Sequence, residues 1–188
     1  MNTKQLFDNY TTTVNTRWRI NKEKAGKDIV GEEYESFRKA FWKQFNFSAK
    51  PETIANYDAD LVIRDSNDKI RVIEECKGHY VDSCFLDRFV MNAARVLKHY
   101  LDQGVEDKDI PYIVLSCPTT YSLYNSKLTA NKDLFDSNIR RLLNTKVKYL
   151  TLCSHDRVNA KKYFKNNDSG FSINNKLILE QENFANNI

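Results

Sequence analysis

Two acids and a lysine lie close together in this 188-residue chain: Asp60 opens the run Asp60-Leu61-Val62-Ile63, and Glu75-Cys76-Lys77 closes the next β-rich run. Side chains alternate faces along a strand, so Glu75 and Lys77 project to one side while Glu74 and Cys76 project to the other. If the two runs pair, Asp60, Glu75 and Lys77 converge at one sheet end. That set suits phosphodiester hydrolysis. Two carboxylates hold a hard divalent cation through oxygen, Mg²⁺ being the natural fit, and the ion neutralises phosphate charge and acidifies a water. The backbone carbonyl of Cys76 lies on the same edge and offers another oxygen. Lys77 is placed to position the attacking water and to stabilise the charge that builds in the transition state.

Spacing alone does not single out this site, because a second acid-x-Lys occurs at Glu106-Asp107-Lys108. That one falls between a helix stop and a proline with no strand to present it, whereas Glu75-Cys76-Lys77 ends a strand opposite an aspartate-led one. The plainer alternative for Asp60, Glu75 and Lys77 is a surface ion pair across a hairpin. Cys76-x-x-His79 with Cys84 nearby points toward zinc, but a fourth ligand at proper spacing is missing and Cys76 faces away from Lys77. His79, His99 and His155 form no paired motif.

The elements that must position these residues can be read around them. Tyr34, Phe37, Phe41 and Phe45 recur at helical spacing and predict a helix over residues 31–45. Residues 57–63 and 69–77 read as an antiparallel hairpin about the polar cluster Arg64-Asp65-Ser66-Asn67-Asp68. A second helix is expected over 83–102, with Gly104 as its stop. Residues 110–116 read as a strand buried on both faces and ended by Pro118. Residues 133–143 read as helix and 147–153 as strand, while 171–173 and 177–179 are short strands or a docking segment. The order helix, strand, strand, strand-or-turn, helix, strand, helix, strand implies an α/β mixed sheet flanked by helices.

With Gly31-Glu32-Glu33-Tyr34-Glu35 at the head of the first helix, Asp60-Leu61-Val62-Ile63 on the next strand and Glu75-Cys76-Lys77 on its partner, the chain resembles the PD-(D/E)XK nuclease superfamily. Most type II restriction endonucleases belong to it. The resemblance covers about residues 28–153 and implies a restriction-endonuclease-like core in αβββαβ order. It also implies metal ligation by Asp60, Glu75 and the Cys76 carbonyl, with Glu35 as a further acid, and products with 5′-phosphate and 3′-hydroxyl ends. The family's proline before the aspartate is absent, Ala59 standing there, which leaves Asp58 as an alternative to Asp60.

Composition sets the remaining bounds. An apolar fraction of 41% with 10 Tyr and 11 Phe is that of a globular chain, and the length fits one domain. We expect a single nuclease domain over 1–188, with a core of about 28–153, a basic N-terminal arm of 1–27 and a C-terminal extension of 154–188. The net charge of +4 permits an anionic partner. Arg17, Arg19 and Lys22, crowded around Trp18, are candidate DNA-phosphate contacts or a solvated basic loop. No run approaches the ~20 apolar residues of a membrane span and no signal peptide opens the chain, so an intracellular, cytoplasmic protein with reduced cysteines is expected.

These readings together predict a Mg²⁺-dependent endonuclease of restriction type acting on double-stranded DNA. Arm and extension are each shorter than a recognition domain of about 50 residues. Sequence reading must then come from loops of a homodimer or from a separate DNA-recognition subunit, and we expect the latter, with this chain as the small cleavage subunit. The alternatives are a structure-selective repair or recombination nuclease of the same fold and a non-catalytic DNA-binding module.

Overall fold

The aromatic spacing that begins at Tyr34 becomes helix α2 (Lys27–Gln44) in the computed structural model, which describes residues 1–20, 27–77, 83–119, 135–153 and 174–188. Tyr34, Phe37, Phe41 and Trp42 are buried. Ahead of it, where the sequence predicts an arm, stands helix α1 (Thr3–Ile20). A reciprocal cap starts that helix: the Gln5 N–H donates to Asn2 Oδ1 at 2.9 Å, and the Asn2 N–H donates to Gln5 Oε1 at 3.0 Å. Such a cap satisfies amide donors that a helix N-terminus otherwise leaves without partners. Phe7 and Tyr10 then pack on Tyr34 and Phe37, with ring centroids 5.6 to 6.1 Å apart.

Five strands follow: β1 (Ser48–Ile54), β2 (Tyr57–Arg64), β3 (Ile70–Cys76), β4 (Tyr112–Thr119) and β5 (Val147–Cys153). They lie side by side in that order. β1, β2 and β3 pair antiparallel through short turns. β3, β4 and β5 pair parallel, because helices α3 (Ser83–Asp102) and α4 (Ser137–Lys146) carry the chain back each time. The protein is thus an α/β fold with a mixed sheet flanked by helices.

The third strand of the antiparallel half precedes the hairpin instead of following it. β1 is hard to read because it carries Pro51 and alternating charges, which an edge strand tolerates since one side needs no ladder hydrogen bonds. Its turn to β2 is made by Ala55 and Asn56, both at positive φ (51° and 60°). That is the geometry of a two-residue primed hairpin turn, without the usual Asn-Gly signature.

The sheet divides two apolar layers. On one face α3 and α4 bring Leu86, Phe89, Leu97 and Leu142 against Ile73 and Leu115. On the other, α1, α2 and helix α5 (Asn175–Asn186) bring Phe7, Trp42 and Ile178 against Leu61, Val114 and Leu152. With Phe7, Tyr10, Ile178 and Ala185 buried, the packed body extends on both sides of residues 28–153.

Three further boundaries differ from expectation. Residues 177–179 are not strand but part of α5, where Ile178, Gln181 and Ala185 are buried at helical spacing and the Asn174 side chain caps the start; residues 171–173 lie outside the described residues. α4 begins at Ser137, because Asp136 accepts from the Ile139 N–H at 2.9 Å as its N-cap. β4 runs through Pro118, which lies beyond the last β3 partner at Ser116, so no ladder bond to β3 is lost there. Among the described residues no helix is long and apolar enough to cross a membrane.

Candidate active site

The register of β2 breaks where the site needs it. Lys50 pairs with Val62 and Glu52 with Ala59, so two steps along β1 are matched by three along β2. The extra residue falls at Asp60-Leu61, a β-bulge. Tyr57, Ala59 and Val62 all pack in the layer under α3, whereas Leu61 packs in the opposite layer. Pairing of β2 with β3 ends at Leu61 and Glu74. Beyond it the strands diverge, and the Asp60 side chain takes over: Oδ2 accepts from the Cys76 N–H at 2.7 Å.

At this fork the alternation of β3 sorts its residues as the sequence predicts. Glu74 turns to α2, where Arg38 and Trp42 donate to its two oxygens. The Cys76 thiol accepts from Ser116 Oγ at 3.7 Å in the same layer. Glu75 and Lys77 take the other face. Lys77 Nζ stands 2.6 Å from Glu75 Oε1 and 4.5 Å from the centroid of the Phe85 ring. The second Glu75 oxygen accepts from the Tyr57 hydroxyl. A cleft of about 530 Å³ opens here, lined among others by Tyr57, Asp58, Glu75, Lys77, Arg88 and Asn92.

Tyr57 is a site residue that sequence reasoning missed. Its hydroxyl keeps its proton, because burial and then the Glu75 charge raise its pKa, so it serves as a fixed donor. Tyr57→Phe is expected to lower stability by about 1–2 kcal/mol, the worth of a partly buried hydrogen bond to a charged acceptor. Urea unfolding of the two proteins measures this, and no change would mean that the bond contributes nothing. Apolar-first patterning gave no sign of it, since a tyrosine opening a strand reads as core.

Asp60 carries the electrostatic strain of the site. Burial, and next the neighbouring Glu75 charge, push its carboxyl from 3.8 to about 6, against the pull of the Cys76 N–H and Lys77. The folded state therefore holds this proton more tightly than the unfolded chain. Stability falls as pH rises from about 4 to about 6, and the loss is complete above that. The rise corresponds to about 3 kcal/mol at full burial, reduced to about 1–2 kcal/mol because solvent reaches the carboxyl. In chelator, Asp60→Asn should be the more stable protein at pH 8 by that amount, with the difference vanishing near pH 4. Equal stability at both pH values would contradict this assignment.

The other predicted residues are placed as follows. Glu35, on α2, is half-buried and pairs with Lys39 at 2.7 Å; it raises the Asp60 pKa as the weakest of the five causes. It stands beside the pair without joining it. Asp58 is exposed on the cleft rim and accepts from Thr53 Oγ1 at 2.6 Å, which ties it to the edge strand. Glu106 and Lys108 form an exposed pair in the turn after α3, so the second acid-x-Lys is surface. Arg17 and Arg19 lie on α1 with their side chains outside the described residues, as are Lys22 and His79 entirely. Cys76 and Cys117 are buried and form no disulfide.

The donor set fits a hard cation. Asp60 and Glu75 present carboxylate oxygens at one fork, close enough for one charge to raise the other's pKa. Among the described residues no three His, Cys, Asp or Glu side chains group as ligands, so backbone and water must supply the rest. Mg²⁺ accepts that arrangement, since it keeps several waters and is held through one or two carboxylates. No protein-family model matches the chain, and neither a curated protein nor a solved structure matches it significantly.

Proposed function

We propose that this chain is a Mg²⁺-dependent endonuclease that hydrolyses phosphodiester bonds of double-stranded DNA, in the manner of restriction enzymes of the PD-(D/E)XK type. One observation carries the reading: Asp60, Glu75 and Lys77 lie within electrostatic range of one another at the fork of β2 and β3, and Glu75 and Lys77 line a cleft open to solvent. Asp60 and Glu75, with the Cys76 carbonyl, hold the cation. Mg²⁺, when bound, supplies Lewis acidity that neutralises phosphate charge and acidifies water.

The chain's own residues do the rest. Tyr57 fixes Glu75 through one oxygen, and Lys77 stands 2.6 Å from the other. Lys77 orients the attacking water and stabilises the negative charge that develops on the phosphate oxygens. The water oxygen bonds to phosphorus as the water gives up a proton to solvent, the bond to the 3′ oxygen breaks, and that oxygen takes up a proton from solvent and leaves as a hydroxyl. A 5′-phosphate and a 3′-hydroxyl result.

One such centre cuts one strand, so a double-strand break in the cell needs two centres, from a homodimer or from a partner recognition subunit. Incubating the purified chain with supercoiled plasmid, and separately with flaps, junctions and single strands, tests the reading. Discrete bands from plasmid, alone or after a second protein is added, support the restriction role. Preferential cutting of flaps or junctions would replace it with a structure-selective nuclease, and DNA binding without cutting in Mg²⁺ would leave a binding module.

A further inference from the structure

The cleft has a second wall. Resting on the nuclease reading above, we propose that Arg88 and Asn92 of α3 form a subsite for a backbone phosphate flanking the bond that is cut, so that the site takes a polynucleotide strand and not an isolated phosphoester. Arg88 and Asn92 are one helical turn apart and therefore share a face, and both line the cleft opposite the strand residues Glu75 and Lys77. Phe85, one turn earlier, lies between the two cations: Lys77 Nζ is 4.5 Å and the Arg88 guanidinium carbon 5.9 Å from its ring centroid. The ring thus stands within cation–π range of one cation from the strand side and one from the helix side.

The two cations differ in what they are free to do. Lys77 is paired with Glu75. Arg88 is exposed, and among the described residues no carboxylate lies within ion-pair distance of it. Charge is thus divided across the cleft, with the lining carboxylates Asp58 and Glu75 on the strand side and Arg88 on the helix side. A duplex is too large for a space of about 530 Å³, so it must lie across the mouth with one phosphate at the acids. A neighbouring phosphate of the same strand then meets the helix side, where a guanidinium fork and an amide N–H are suited to its oxygens.

Fluorescence anisotropy of a labelled duplex, titrated with the full chain in Ca²⁺ at several salt concentrations, tests this. Arg88→Ala should weaken binding about tenfold and reduce the slope of log affinity against log salt by about one, the signature of one lost phosphate contact. Asn92→Ala should weaken binding without moving the slope, because the amide is uncharged. Arg141→Ala is the control, since Arg141 lies on α4 and pairs with Asp107 in the turn beyond the end of α3, away from the cleft. An unchanged slope in Arg88→Ala, or an equal loss of slope in Arg141→Ala, overturns the subsite while leaving the nuclease reading intact. A wild-type chain that binds no duplex, alone or with the partner protein that its plasmid cleavage requires, overturns both.

Discussion

Lys77→Ala is expected to lose at least about 10²-fold in DNA cleavage while still taking up metal, whereas Asp60→Ala and Glu75→Ala lose metal uptake and cleavage together. The split follows from chemistry. A charged lysine has no lone pair for a hard cation, so its contribution is confined to the water and the developing charge, where groups of this kind contribute about 10²- to 10⁴-fold. Glu75 keeps its Tyr57 donor in Lys77→Ala and so keeps its place. Calorimetric titration with Mn²⁺ beside a cleavage assay reads both quantities. Asp58→Ala should retain metal binding, because Asp58 is held by Thr53 on the edge strand. Metal loss in Asp58→Ala with retention in Asp60→Ala would reverse the assignment of the two aspartates.

Truncating Arg38 is expected to cost about 3–5 kcal/mol of stability, the usual consequence of leaving a buried charge without its partner. Arg38 and Glu74 are both fully buried, 2.5 Å apart from Nε to Oε1. Arg38 also donates to Gln181 Oε1 at 2.6 Å, and Gln181 in turn donates to the Thr151 carbonyl at 2.6 Å. This chain of bonds ties α2, β3, α5 and β5 together on the face of the sheet opposite Glu75 and Lys77. Burial opposes the charge on Arg38, but Glu74 prevails and holds its pKa above the ordinary value. At roughly 2–4 °C per kcal/mol for a chain of this size, Arg38→Ala should melt on the order of 10 °C lower. Arg38→Met with Glu74→Leu should recover most of that, since replacing both charges removes the desolvation cost as well. A single truncation costing under about 1 kcal/mol would show that the pair is dispensable.

The strand pair at the site was legible because two-residue alternation needs no tertiary information: it separates Glu75 and Lys77 from Glu74 and Cys76. Asp60 was reached by pattern, although simple alternation fails around it; the bulge that aims it is set by pairing with β1, a strand whose proline and charges concealed it. Tyr57 comes to the cleft from β2 and Phe85, Arg88 and Asn92 from α3, and nothing local marks the convergence of these two elements. α1 was hidden by its basic end, although Asn2 and Gln5 hold the spacing of a reciprocal cap. Within α5, residues 177–179 read as a short strand or a docking segment, while the positions that are buried, Ile178, Gln181 and Ala185, follow the helical period and include a polar residue. The buried Arg38–Glu74 pair was missed because patterning assigns charges to the surface.

The central claim is that Asp60, Glu75 and Lys77 form one metal-dependent phosphodiesterase centre. Its most direct test is digestion of supercoiled plasmid by the wild-type chain and by Lys77→Ala, each in Mg²⁺ and in excess EDTA, with any required partner protein present throughout. Nicking or linearisation by wild type in Mg²⁺ alone, lost in EDTA and lost in a folded Lys77→Ala protein, is the predicted result. Undiminished cutting in EDTA, or by Lys77→Ala in Mg²⁺, would contradict it.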